Sequence, residues 1–259
     1  MHPMLNIAIR AARAAGDLIV REIDRIDDIG FDSKGENDFV TDVDKGAEQV
    51  IINTIHQSYP EHAFLAEESG QSGDSEFVWI IDPLDGTTNY MHGFPHYAVS
   101  IALQHRGRLD QAVIYDPLRQ ELFTASRGKG AQLNNRKIRV TSKRELKGTL
   151  LGTGFPFREG QDIEVFLESF RRLYPHVAGI RRAGSAALDL AYVACGRLDG
   201  FWEYNLNAWD IAAGALLVQE AGGINSELTG GTDYMQSGNI ISANPKILKA
   251  MLQQLMKKS

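Results

Sequence analysis

Cysteine is almost absent. The one thiol, Cys195, excludes an internal disulfide and a cysteine-rich zinc site. A reducing, cytoplasmic compartment is the simplest setting for such a chain. Cys195 follows Ala191 and Val193 at helical spacing and reads as a core residue. Cations are also in deficit. Lys and Arg number 27 against 33 Asp and Glu, a formal charge of −6. That balance argues against a general nucleic-acid surface, which needs clustered Lys and Arg. It does not exclude an anionic substrate, because bound metal ions invert the local field. No uninterrupted apolar run approaches the ~20 residues that span a bilayer. At the N-terminus, Leu5, Ala8, Ile9, Ala12, Ala15, Ile19 and Ile23 recur at helical spacing, interrupted by Arg10, Arg13, Asp17 and Glu22. This pattern is an amphipathic surface helix rather than a signal peptide or membrane span. There is no Walker A sequence and no Gly-x-Ser-x-Gly elbow, so P-loop nucleotide hydrolysis and serine hydrolysis have no support. Internal repeats and low-complexity tracts are absent too.

What is present suffices for a sizeable core: 259 residues, 43% of them apolar. Helices are expected from about Pro3 to Ile26 and from Asp42 to Ser58. The polar segment Ser33 to Asp38 between them reads as a solvated loop. Short strands are expected at Ala63–Ala66, Val78–Ile81, His96–Gln104, Gln111–Tyr115 and Glu121–Ser126. Helix returns at Glu164–Tyr174, Ser185–Cys195 and Asp210–Ala221, the last stopped by Gly222-Gly223. A strand at Asn239–Ser242 precedes a final helix opened by Pro245. Blocks of helix and strand without a regular βαβ period suggest layered sheets and helices.

The most informative segment runs Trp79-Ile80-Ile81-Asp82-Pro83-Leu84-Asp85-Gly86-Thr87-Thr88-Asn89-Tyr90. An apolar strand ends in a carboxylate. Pro83 fixes its own φ and biases Asp82 toward extended backbone. Asp82 and Asp85 are thereby held around a tight turn, and Thr87 and Thr88 can start a helix whose free N–H groups suit phosphate. Two carboxylates so close repel unless a cation lies between them, and oxygen ligands select hard cations such as Mg²⁺. Taken alone, an Asp-Pro turn is ordinary. So is the pair Glu67-Glu68 as a solvated loop, and Asp210 as an N-cap.

Together, Asp82-Pro83-Leu84-Asp85-Gly86-Thr87 and Trp209-Asp210-x-Ala212-Ala213-Gly214…Glu220-Ala221-Gly222-Gly223 resemble the signatures of the inositol monophosphatase family, in the same order and separation. The similarity spans the chain from Asn37-Asp38-Phe39-Val40-Thr41 to the last helix and is greatest to the bacterial branch. The resemblance implies an α+β fold, a layered αβαβα sandwich like that of inositol monophosphatases and fructose-1,6-bisphosphatases. It implies one domain over residues 1–259, with two sub-layers divided near 140–150. It implies two or three Mg²⁺ ions and inhibition by Li⁺. Glu67, Asp82 and the Leu84 carbonyl would hold the first metal, and Asp82, Asp85 and Asp210 the second. Thr87 with Glu67 would orient the attacking water, and Asp44 would hydrogen-bond Thr87. Asp85, Gly86, Thr87, Gly184, Ser185, Ala186, Glu203 and Asp210 would contact a small phosphorylated polyol. Lys34 would sit on a loop covering the site.

Rival readings follow from the same residues. His92 and His96 stand at the spacing of helical zinc ligands, but Gly93 and Pro95 between them exclude a helix. Asn89-Tyr90 after Thr88 is similar to the inositol type, whereas related bisphosphate nucleotidases tend to carry Lys-Glu there; fructose-1,6-bisphosphatase activity is the other alternative. Some bacterial relatives are linked to transcription antitermination through the transcription machinery. Arg181 and Arg182 are candidates for a surface serving such factors or RNA polymerase, a structural ion pair being the simpler reading. Family members are commonly homodimers, and the apolar stretch at Phe201 and Trp202 is an expected contributor to that interface. No membrane role is expected.

Overall fold

The computed structural model describes residues 2–23, 31–35, 38–156 and 163–257, with side-chain surroundings given for all of these except 31–35 and 38–40. Helix α1 (Pro3–Glu22) starts at a proline and buries Leu5, Ala8, Ala12, Ala15 and Ile19 on one face. Strands β1 (Phe31–Gly35) and β2 (Asp38–Thr41) form an antiparallel pair. The expected loop at 33–38 is therefore largely strand, because backbone pairing satisfies polar groups that composition alone assigns to water. Glu36 and Asn37 lie outside the described residues. Thr41 caps α2 (Asp42–His56) in a reciprocal box with Asp44.

The next strands build one eight-stranded sheet. They are β3 (Ala63–Ala66), β4 (Gly70–Ser72), β5 (Phe77–Asp85), β6 (Ala98–His105), β7 (Arg108–Asp116), β8 (Glu121–Ser126), β9 (Gly130–Leu133) and β10 (Arg136–Lys137), with α3 (Thr87–Met91) between β5 and β6. Their order is β10-β9-β8-β7-β6-β5-β3-β4, and β3 and β5 run parallel. A second sheet contains β11 (Leu150–Thr153), β12 (Gly179–Arg181), β13 (Gly200–Glu203), β14 (Ile224–Ser226) and β15 (Ile240–Ala243), ordered β12-β11-β13-β15-β14. Helices α4 (Ile163–Leu173), α5 (Ala186–Ala194), α6 (Ala208–Glu220), α7 (Tyr234–Ser237) and α8 (Pro245–Leu255) complete the described elements.

Strand alternation sorts these elements into layers. Trp79 and Ile81 point to one face of the large sheet and pack on α1 and α2. Ile80 between them points to the other face and joins α5 and α6. In the small sheet Phe201 faces α5 and α6, while Trp202 faces α4 and α8. The result is αβαβα. Helix chemistry agrees with this placement. α6 buries every residue from Asp210 to Val218, as a helix between two sheets must, whereas α1 keeps a polar face. Phe201 and Trp202 are fully enclosed in the chain's own cores. They cannot supply an intersubunit surface, and that expectation fails. Among the described residues no helix is long and apolar enough to cross a membrane.

Candidate active site

Parallel strands end on the same edge, and the cleft forms there. β3 and β5 pair in parallel with Ala66 beside Ile81, so Glu67 and Asp82 emerge side by side, with the Glu67 N–H donating to the Ile81 carbonyl at 3.1 Å. β5 continues through Pro83 to Asp85, with its register on β6 shifting between Asp82 and Asp85. That irregularity turns both carboxylates toward the edge. Gly86 then adopts φ +106°, and a Cβ there would lie 3.0 Å from the His96 carbonyl and 3.3 Å from that of Gly184. Only glycine fits both constraints. From the opposite side, the N-termini of α5 and α6 bring Ser185, Ala186 and Asp210 into the same cleft of about 420 Å³.

Hydrogen bonds fix most of these groups. The Thr87 hydroxyl lies 2.8 Å from Asp44 Oδ1 and 3.1 Å from the Leu84 carbonyl. Asp44 is fully buried, and its other oxygen accepts from the Thr41 N–H and hydroxyl. Asp44 thus ties the first turn of α2 to the start of α3. Asp85 Oδ2 accepts from the Ser185 hydroxyl at 2.6 Å and the Ala187 N–H at 2.7 Å. Asp210 Oδ2 accepts from the Asn207 N–H at 2.6 Å. Asp210 is therefore the third helical residue of α6, answering a cap at Asn207, and not the cap itself.

Burial pushes Asp82 well above the usual carboxylate range, and the neighbouring charges of Glu67, Asp85 and Asp210 push it further. Asp85 is raised to about 6 by burial, against the opposing bonds from Ser185 and Ala187. Four crowded acids are a costly arrangement unless cations offset their charge. An all-oxygen set of this kind fits a hard divalent cation. Among the described residues, however, no three such side chains already stand in ligating geometry. Binding would require their carboxylates to rotate together.

The cleft gathers Glu67, Asp82, Leu84, Asp85, Gly86, Thr87, Gly184, Ser185, Ala186, Glu203 and Asp210. Asp44 stands behind the wall and accepts a hydrogen bond from the Thr87 hydroxyl. Lys34 lies in β1, and its side chain is outside the described residues. Sequence reading missed three contributors. Asp189 lines the cleft one turn into α5. Asn89 donates to the carbonyls of His96 and Ala183, clasping the α3 turn to the approach of α5. Glu48, buried on α2, accepts from the N–H groups of Glu68 and Ser69 at 2.8 and 2.9 Å and so anchors the turn that carries Glu67. An acidic residue amid the apolar face of α2 was the available signal. Arg182 lines the cleft, with its guanidinium 5.3 Å from the Phe155 ring centre. Neither Arg181 nor Arg182 makes an ion pair with another described residue.

Comparison with known proteins agrees with this architecture. The family model described as "Inositol monophosphatase family" matches residues 1–259. The Nus factor SuhB of Pseudomonas aeruginosa is 55% identical over 258 residues, covering 97% of this chain and 95% of that protein. The crystal structure of extragenic suppressor protein suhB from Bartonella henselae superposes with a TM-score of 0.97 at 43% identity, over 100% of both chains. The inositol monophosphatase structure from Anabaena (Nostoc) sp. PCC 7120 gives 0.87 at 41% identity, covering 97% of this chain and 94% of that one. With the layers, the acidic edge and these likenesses in agreement, the chain belongs to the inositol monophosphatase family.

Proposed function

We propose that this protein is a magnesium-dependent phosphatase that hydrolyses a small phosphorylated polyol, myo-inositol monophosphate being the favoured substrate. One observation carries the reading: Glu67, Asp82, Asp85 and Asp210, from three separate segments of the chain, converge on one cleft beside the Thr87 hydroxyl. Glu67, Asp82 and Leu84 would hold one Mg²⁺, and Asp82, Asp85 and Asp210 a second. When bound, such ions neutralise the phosphoryl group, stabilise the leaving alkoxide and acidify water. The chain's own part is positioning. Asp44 holds the Thr87 hydroxyl, so that Thr87 and Glu67 present a fixed pair of polar groups to the attacking water. Ser185 holds Asp85 in place. Gly184, Ser185, Ala186 and Glu203 would receive the polyol. The test is phosphate release from a panel of inositol, nucleotide and fructose phosphates with Mg²⁺, with and without Li⁺. Preference for inositol monophosphate and inhibition by Li⁺ are expected, and preference for a bisphosphate nucleotide or fructose bisphosphate would replace the substrate assignment.

The similarity to proteins called Nus factor SuhB supports a second reading, a partner role in transcription antitermination. Exposed Arg181 is a candidate contact for RNA polymerase or its factors. In a pull-down with those factors, Asp210→Asn should still bind and Arg181→Glu should not. A homodimer is proposed as well, to be checked by sedimentation against the 28.7 kDa chain mass.

A further inference from the structure

Beyond the carboxylates assigned to metal, the cleft holds a second acidic pair. Asp189 is 2% exposed and Glu203 8% exposed, and both line the cleft. Among the described residues neither carboxylate accepts a hydrogen bond. A buried acid without a donor is costly to the fold. The backbone nonetheless makes room for both. Gly152 and Gly154 alternate onto one face of β11 and its continuation. A Cβ on Gly152 would lie 3.2 Å from Asp189 Cγ, and one on Gly154 would lie 1.9 Å from Glu203 Oε1. β11 runs parallel to β13 with Thr153 beside Trp202, which brings Gly154 against Glu203. Any side chain at these two positions would displace the acids. Burial and neighbouring acids hold both carboxyls well above the usual carboxylate range, and the Arg182 guanidinium opposes this only from a distance. Two acids with one cation nearby suit neutral O–H donors better than a further divalent ion.

We infer that Asp189 is a specificity-determining residue that, with Glu203, accepts hydroxyl hydrogens from a neutral, polyhydroxylated leaving group. The inference rests on the phosphatase reading and adds to it a residue that only the geometry brings forward. A matched pair of esters tests it: myo-inositol monophosphate, and cyclohexyl phosphate, which has the same ring without hydroxyls. Losing hydrogen bonds to this carboxyl should lower kcat/KM of Asp189→Ala for the inositol ester by about 10-fold or more. For cyclohexyl phosphate the loss should stay below about 3-fold, since no bond to Asp189 is made. The melting temperature should stay at or above wild type, because the variant removes an unpartnered buried acid. Equal losses on both esters, no loss on either, or a lowered melting temperature would each overturn the assignment. A wild-type protein that cleaves neither ester would defeat the phosphatase reading itself. One that cleaves both, with its preference unchanged in Asp189→Ala, would defeat this inference alone.

Discussion

Asp210→Asn separates a metal ligand from a helix residue by the sign of two effects. The substitution keeps shape and an acceptor oxygen, so the 2.6 Å bond from the Asn207 N–H can persist. Little cap energy is lost, because such caps are worth about 1 kcal/mol in total. What disappears is a charge that pushes against both Asp82 and Glu203. Relieving that repulsion stabilises the folded chain, and each kcal/mol gained raises the melting temperature by about 2–4 °C. In chelator the variant should therefore melt higher than wild type. With Mg²⁺ the order should reverse. Wild type gains stability as RT ln(1 + [Mg²⁺]/Kd), about 2.7 kcal/mol at a hundredfold excess over Kd. A variant with Kd raised ~100-fold would gain only ~0.4 kcal/mol at the same concentration. The assay is thermal melting across a Mg²⁺ titration, with phosphate release followed in parallel. A variant that melts lower in chelator and gains as much from Mg²⁺ as wild type would make Asp210 a helix residue only.

Three further outcomes follow from the same structure. Thr87→Ala should retain the Mg²⁺-dependent melting shift but lose about 10²-fold in kcat, since the hydroxyl held by Asp44 positions rather than binds; unchanged kcat would remove Thr87 from the mechanism. His96 is lowered to about 4 by burial, and its Nε2 has no hydrogen-bond partner among the described residues, so protonation favours the unfolded chain. Its contribution is harmless above pH 6.5 and becomes destabilising as pH falls toward 4, by about 2 kcal/mol at pH 5; urea unfolding of wild type against His96→Leu should show that difference at pH 5 and not at pH 8. Gly214→Ala would place a Cβ 2.5 Å from Leu190 and force α5 away from α6. Overpacking of about 1–3 kcal/mol should outweigh the ~1 kcal/mol gain in helix propensity, lowering the melting temperature and, because both helices open at the cleft, activity with it.

How much of this was legible beforehand depends on where the information resides. Helices α1, α2, α5 and α8 follow from apolar periodicity and caps within one segment. α6 was legible as a helix, and its unbroken apolar run from Ile211 to Val218 also betrays a position between two sheets. The edge strands β4, β10, β12 and β14 were missed because they are short, and their pairing is set by neighbours rather than by their own residues. Metal-ligand candidates were legible because Asp82, Asp85 and Asp210 stand in long, distinctive motifs. Asp189 and Glu48 were not, since each carries its meaning in a contact made across elements. Asp189 looks like an ordinary first-turn acid until Gly152 is seen packed against it.

The most direct test of the account is phosphate release from myo-inositol monophosphate by the whole chain, measured in excess chelator and again after Mg²⁺ is restored. Turnover should vanish with chelation and return with Mg²⁺, because Glu67, Asp82, Asp85 and Asp210 line the cleft as the proposed holders of that ion. Full turnover in chelator, with no metal detectable in the protein, would contradict it.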